Sequence, residues 1–107
     1  ADAGWMRAAA GEASAVVRER VEACRLRQVE RQGYPNARLN VVGIDAHCRL
    51  DAAASAMLRQ AMLHWNWSAR AVHRMLRVAR TIADLDAVAA IGESHVAEAI
   101  QYRQPWR

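Results

Sequence analysis

The chain has 107 residues, 53% of them apolar and 24% charged, with 15 basic against 11 acidic side chains and a net charge of +4. That length sets one domain with a modest core, and no stretch approaches the ~18 uninterrupted apolar residues of a membrane span. The opening residues lack the basic start and long apolar block of a secretory signal, which leaves the cytoplasm as the default location. Every basic residue is an arginine. A positive balance of this size permits attraction to nucleic acid, and a solvated surface accounts for it equally well.

Residues 1–11 are small and carry no periodicity, so they read as a flexible linker, with the folded domain over 12–107. From Glu12 the pattern turns helical. Val17, Val21 and Cys24 recur at i, i+4, i+7 and predict an inward stripe, with charged residues on the other faces. Gly33 and Pro35 stop this helix. Residues 33–49 contain both interior turn signals and read as an ordered loop, with one helical turn around Asn36 to Asn40. The apolar run LNVVGI inside it suits an extended segment, but no other strand is on offer to pair with it.

Asp51 is a good N-cap for a helix whose stripe is Ala54, Met57, Leu58, Ala61 and Met62, ending at Asn66. Ser68 caps the next helix, in which Val72, Met75, Leu76, Ala79, Ile82 and Ala83 form a clear inward face. Asp84 and Asp86 lie near its C-terminus, the electrostatically unfavourable end for acids. Trp65 and Trp67 flank the turn between these helices and are expected to shield its core. A last short helix after Gly92 turns Val96, Ala97 and Ile100 inward. Four helices without a persuasive strand make an all-α, four-helix bundle-like domain.

The chemistry is sparse. No phosphate-cradling GxxxxGK[ST] or GxGxxG loop, GxSxG elbow or HExxH pair occurs. His47, His64, His73 and His95 are scattered, with no carboxylate evidently set to orient any of them, and read as surface or half-buried residues. Cys24 and Cys48 lack CxxC spacing, and His47 beside Cys48 does not complete a set of four ligands. No metal, no disulfide and no catalysis by this chain in isolation are expected.

The arginines of the third helix point somewhere. Arg70, Arg74 and Arg77 lie along one face at i, i+4, i+7, with Arg80 further round. Arg70 falls in the first turn, where unpaired N–H groups and the positive end of the helix dipole favour an anion. Like charges in a row repel slightly unless partnered. The partner is either an external phosphate or aspartates of a neighbouring helix.

The segments GEASAVVRERVEACRLRQVERQ, NARLN, CRLD, SARAVHRMLRVARTIADLD and SHVAEAIQYR, in that order, resemble the C-terminal end of the ComM-like (YifB-like) magnesium-chelatase-related AAA+ ATPases, across residues 11–103. The resemblance implies an AAA+ C-terminal lid domain following a nucleotide-binding αβα core, with the Walker A and Walker B motifs upstream, in a bacterial and cytoplasmic protein. Residues 1–11 are then the linker from the missing core. Arg70, the arginine of SAR, matches the lid residue called sensor 2, which reaches the γ-phosphate. MgATP is implied only with the core, with nothing bound by the isolated domain.

The implied partners are the chain's own core, neighbouring subunits of a hexameric ring, and DNA, with no membrane. The full-length parent is implied to be an ATPase that acts in natural transformation as a branch-migration helicase, and the chelatase label marks ancestry. Arg74 and Arg77 are implied phosphate, DNA or inter-subunit contacts. Two positions depart from the family pattern: Trp67 stands where a leucine usually precedes the serine, and Gly92 where a capping Ser or Thr is common. The alternative reading is an autonomous basic helical DNA-binding module, with the Arg70–Arg77 row on phosphates.

Overall fold

The computed structural model describes the backbone of residues 3–103 and the side chains of residues 14–102; the ends of the expected linker and domain, residues 1–2 and 104–107, lie outside them. Among the described residues the chain forms α1 (Ala3–Gln32), a 3₁₀ turn (Asn36–Arg38), α2 (Val41–His47), α3 (Ala52–Trp65), α4 (Ala69–Leu85) and α5 (Glu93–Arg103). The domain is all-α. Its only pairing of extended backbone is an isolated parallel bridge between Leu50 and Ile91, again among the described residues.

Two boundaries differ from the sequence expectation. Helical backbone begins at Ala3, well before Glu12, because an alanine-rich segment favours helix by propensity even where it has no apolar stripe. The second difference lies in the expected loop over 33–49. The 3₁₀ turn falls where one helical turn was anticipated, but Val41–His47 is an additional α-helix. Asn40 starts it, its side-chain oxygen accepting the Gly43 N–H at 2.9 Å, and the Cys48 N–H closes it on Ile44 O at 2.9 Å. A helix this short has too little periodicity to declare itself, whereas its cap makes it local and cheap.

α4 is the central element: it touches α1, the 3₁₀ turn, α2 and α5, while α3 packs on α5. Its face Val72, Met75, Leu76, Ala79 and Ala83 is buried, with Ile82 half-buried at the edge. Ala54, Leu58 and Ala61 of α3 and Val96 and Ala99 of α5 close over it with Leu39, Ile44 and Ile91. Each fully buried large aliphatic side chain contributes ~1.5–3 kcal/mol, so this cluster dominates stability. The expected stripe on α1 is only partly realised. Cys24 is 3% exposed, but Val17 and Val21 are 52% and 44% exposed.

The chain ends of α3 and α5 are registered by the bridge. The Ile91 N–H donates to Arg49 O at 2.8 Å and the Asp51 N–H to Ile91 O at 3.0 Å, so the starts of α3 and α5 lie side by side. Asp51 then caps α3 through the Ala54 N–H at 2.8 Å.

Candidate functional site

The α3–α4 turn positions the residue that the sequence singled out. Asn66 ends α3 in the left-handed region, at φ 52° and ψ 50°, a conformation asparagine tolerates better than most residues. The reversal brings Trp67 back onto Trp65, with ring centroids 5.7 Å apart and planes 14° from parallel. His64 meets Trp65 edge-on at 4.8 Å. Both tryptophans are half-buried, and Trp67 packs on the core cluster. Ser68 then starts α4, its hydroxyl accepting the Ala71 N–H at 3.1 Å.

Arg70 stands in the first turn of this 17-residue helix. It is exposed. Ser68 satisfies one of the free N–H groups there; the others, the dipole and the guanidinium leave this corner electropositive.

The rest of the arginine row divides. Arg74 is exposed but already has an interaction of its own. Arg77 is half-buried, and its Nε donates to Leu39 O at 2.9 Å. Arg74 and Arg77 share a cleft of about 250 Å³ with Met75, Val78, Ala99 and Tyr102, and Arg70 does not line it. Arg80 is buried at 1% exposure and points away from any surface role.

The Arg80 guanidinium donates to Asp84 and to the carbonyls of His47, Val88 and Ala89 at 2.7–3.1 Å. Asp84 also receives Arg31 at 2.8 Å and the Asn36 amide at 2.9 Å. The apparent misplacement of an acid at the end of α4 is thereby explained: it neutralises two cations inside the fold. Arg80 thus takes neither partner left open by the sequence, an external phosphate or an aspartate of a neighbouring helix, but an aspartate one turn along its own helix.

A second pairing escaped sequence reasoning. His95 Nε2 lies 2.8 Å from Asp86 Oδ2, and its Nδ1 accepts the Gly92 N–H at 2.8 Å. The acceptor role of Nδ1 places the proton on Nε2, facing the carboxylate. A side chain three residues into α5 thus reaches back to the first backbone donor, the reciprocal half of a capping box, which offsets the missing Ser or Thr at Gly92. The signal available was that spacing, Gly92 to His95, with an acid upstream. His95 is 7% exposed, so the unit is structural.

Both cysteines are free and buried. Burial raises the Cys24 thiol against the pull of a hydrogen bond from Gln28. Burial pushes the Cys48 thiol up to about 11, outweighing the attraction of Arg80 and Arg31. Among the described residues no three His, Cys, Asp or Glu side chains gather as a metal site, and no helix is long and apolar enough to cross a membrane.

The sequence profile of the magnesium chelatase, subunit ChlI C-terminal, family matches residues 11–103, from within α1 to the end of α5. The chain belongs to this family. It is 43% identical over 93 residues to "Uncharacterized protein YifB" of Escherichia coli, covering 87% of this chain. It is 45% identical over 93 residues, again 87% of this chain, to "Competence protein ComM" of Haemophilus influenzae. A Salmonella typhimurium YifB is 42% identical over 96 residues, 90% of this chain. The chain spans 18–19% of the length of these relatives. No solved structure matches it. This magnesium-chelatase C-terminal domain is of the ComM-like type, and the matched span covers most of α1 and all of α2 to α5.

Proposed function

We propose that this domain is the C-terminal lid of a ComM-like AAA+ ATPase and that Arg70 is its sensor-2 arginine, directed at the γ-phosphate of MgATP held by a core outside this sequence. The observation that carries this reading is the division of the arginine row. Arg77 and Arg80 are committed to carbonyls and a carboxylate inside the domain, whereas Arg70 is exposed at the start of α4 without a hydrogen bond or ion pair among the described residues. A planar cation held at a helix N-terminus suits a phosphate, and stabilising the charge of a transferring phosphoryl group is a recognised role of such arginines.

On this reading the domain performs no chemistry alone, since the sequence lacks the phosphate-cradling loop. It closes over the nucleotide, and its rotation couples hydrolysis to movement within a ring of subunits, as lids commonly gate turnover. The relative named as a competence protein supports a role for the whole protein in DNA processing during natural transformation, as a branch-migration helicase in the bacterial cytoplasm. Residues 1–11 connect the lid to the core. Arg74 and Arg77, each already engaged within the domain, are the candidates for contacts with neighbouring subunits or DNA.

The test is Arg70→Ala in the full-length protein, measuring MgATP hydrolysis and nucleotide affinity separately. Hydrolysis is expected to fall by roughly 10³-fold or more with binding weakened far less, as for other arginines acting on transferred phosphoryl groups. Undiminished hydrolysis refutes the assignment. The alternative, an autonomous DNA-binding module, draws less support. The contact of Arg77 with Leu39 O and the interaction that Arg74 already makes weaken the Arg70–Arg77 row as a phosphate-facing surface.

A further inference from the structure

One face of α1 carries Val17, Val21, Cys24 and Gln28 at i, i+4, i+7, i+11. Half of that face is used. Cys24 and Gln28 are 3% and 5% exposed, with Cys24 Sγ against Thr81 O and Arg27 on Asp84 O at 3.0 Å. The other half is bare: Val17 is 52% and Val21 44% exposed, with Val16 beside them at 54%. The change occurs where α4 ends. Arg20 reaches Leu85 O at 3.4 Å and Asp86 at 4.0 Å. N-terminal to it α1 continues back to Ala3, about 25 Å of helix at 1.5 Å per residue.

We propose that the Val16, Val17 and Val21 face of α1 docks on the domain that precedes it in the same polypeptide, so that α1 is a strut joining the bundle to that domain. This rests on the reading of the chain as the C-terminal part of a longer ComM-like protein. The apolar spacing runs unbroken past the last contact with α4, so it is written for a surface that the bundle does not supply. In the YifB and ComM relatives, more than four fifths of the polypeptide lies outside the matched part, which is 18% of their length, and the family is a C-terminal one.

Size decides between occupants. A stable contact with a free partner needs roughly 800 Å² a side, far more than three valines present. A segment tethered at the end of the same helix acts at millimolar effective concentration and needs no such area. The occupant is therefore the chain's own upstream domain rather than a second copy.

Hydrogen exchange read by mass spectrometry over residues 14–22 tests this, comparing the 107-residue chain with the full-length protein. The amides there are expected to exchange roughly tenfold or more slowly in the full-length protein. Val17→Ser with Val21→Ser is expected to abolish that difference while lowering the melting temperature of the 107-residue chain by no more than a few degrees, since both side chains are about half exposed there. Equal exchange in the two proteins overturns the proposal. So does protection in the short chain that grows with concentration, which assigns the face to a second copy. Slow exchange that persists while Arg70→Ala retains full hydrolysis supports the docking and refutes only the sensor assignment.

Discussion

Arg80 Nη2 lies 3.0 Å from Asp84 Oδ1, one turn away on α4, and both side chains are 2% exposed. Around this pair four parts of the chain converge. Arg31 brings α1, Asn36 the 3₁₀ turn, His47 O the end of α2, and the Val88 and Ala89 carbonyls the loop before α5. Among the described residues no buried side-chain nitrogen or oxygen lacks a partner. A satisfied buried network fixes one arrangement of its elements, because any other leaves a charge unpaired in low dielectric.

Asp84→Asn is therefore expected to cost about 3–5 kcal/mol, because the Arg80 and Arg31 guanidiniums then face a neutral amide. Urea unfolding of the 107-residue chain measures it. Arg80→Met combined with Asp84→Leu is expected to lose clearly less than the two single losses added together, since the pair is removed as a unit. Additive losses would mean that the two residues do not act together.

The loop that feeds Arg80 contains a strained residue. Ala87 has φ 59°, and around it the Ala87 N–H donates to Asp84 O at 3.0 Å and the Val88 N–H to Ala83 O at 3.1 Å. These two bonds form the helix-ending motif that normally employs glycine. Placing an L-residue there costs ~1–2 kcal/mol, and glycine's extra unfolded-state freedom returns ~0.5–1 of it. Ala87→Gly is expected to raise stability by about 0.5 kcal/mol, seen as a higher urea midpoint at constant slope. A lower midpoint would show that the methyl group contributes packing that outweighs the strain.

Cys48 sets an alkaline limit. Its thiol ionises near its ordinary 9.0 when unfolded and at about 11 when folded, the difference caused by burial. The folded state thus holds a proton that the unfolded state has released. Stability is fully present below pH 9 and falls as pH rises from about 9 to 11, by roughly 2–3 kcal/mol in all. Cys48→Ala costs packing at neutral pH but is expected to flatten this alkaline decline. Unfolding curves at pH 7.5 and about 10.5 for both proteins give the comparison. An equally steep decline in the variant would place the effect on another group.

The long amphipathic helices were legible because packing decides them. The face of α4 from Val72 to Ala83 is buried as its spacing demands, and the caps Asp51 and Ser68 act as their residue types predict. What escaped had non-local causes. Val17 and Val21 carry the right period, but a period cannot say whether a partner helix is long enough to cover it. Arg80 lies further round the wheel than Arg70, beside the apolar stripe, but an arginine there still reads as a surface residue; α2 and the 88–89 loop turn it into a core residue. Asp84 reads as an unfavourable acid because the two arginines that require it come from a helix turn away and from the far end of α1. The His95–Asp86 contact depends on the chain reversal at Ala87, beyond the reach of any local spacing.

Arg70 and Arg77 separate a functional cation from a structural one on the same helix face. Arg70 makes no hydrogen bond or ion pair among the described residues and is exposed, so Arg70→Ala is expected to change the stability of the 107-residue chain by less than ~0.5 kcal/mol. Arg77→Ala removes the Nε bond to Leu39 O, at 2.9 Å beside a residue only 1% exposed, and is expected to cost ~1–2 kcal/mol through the carbonyl left without its donor. In full-length protein the order reverses: hydrolysis suffers far more from loss of Arg70 than of Arg77. Chemical denaturation of the short chain and steady-state hydrolysis by the long one supply the two axes. Should Arg70→Ala destabilise the short chain by more than 1 kcal/mol, Arg70 is part of the scaffold, and its loss in the motor would no longer report on the nucleotide.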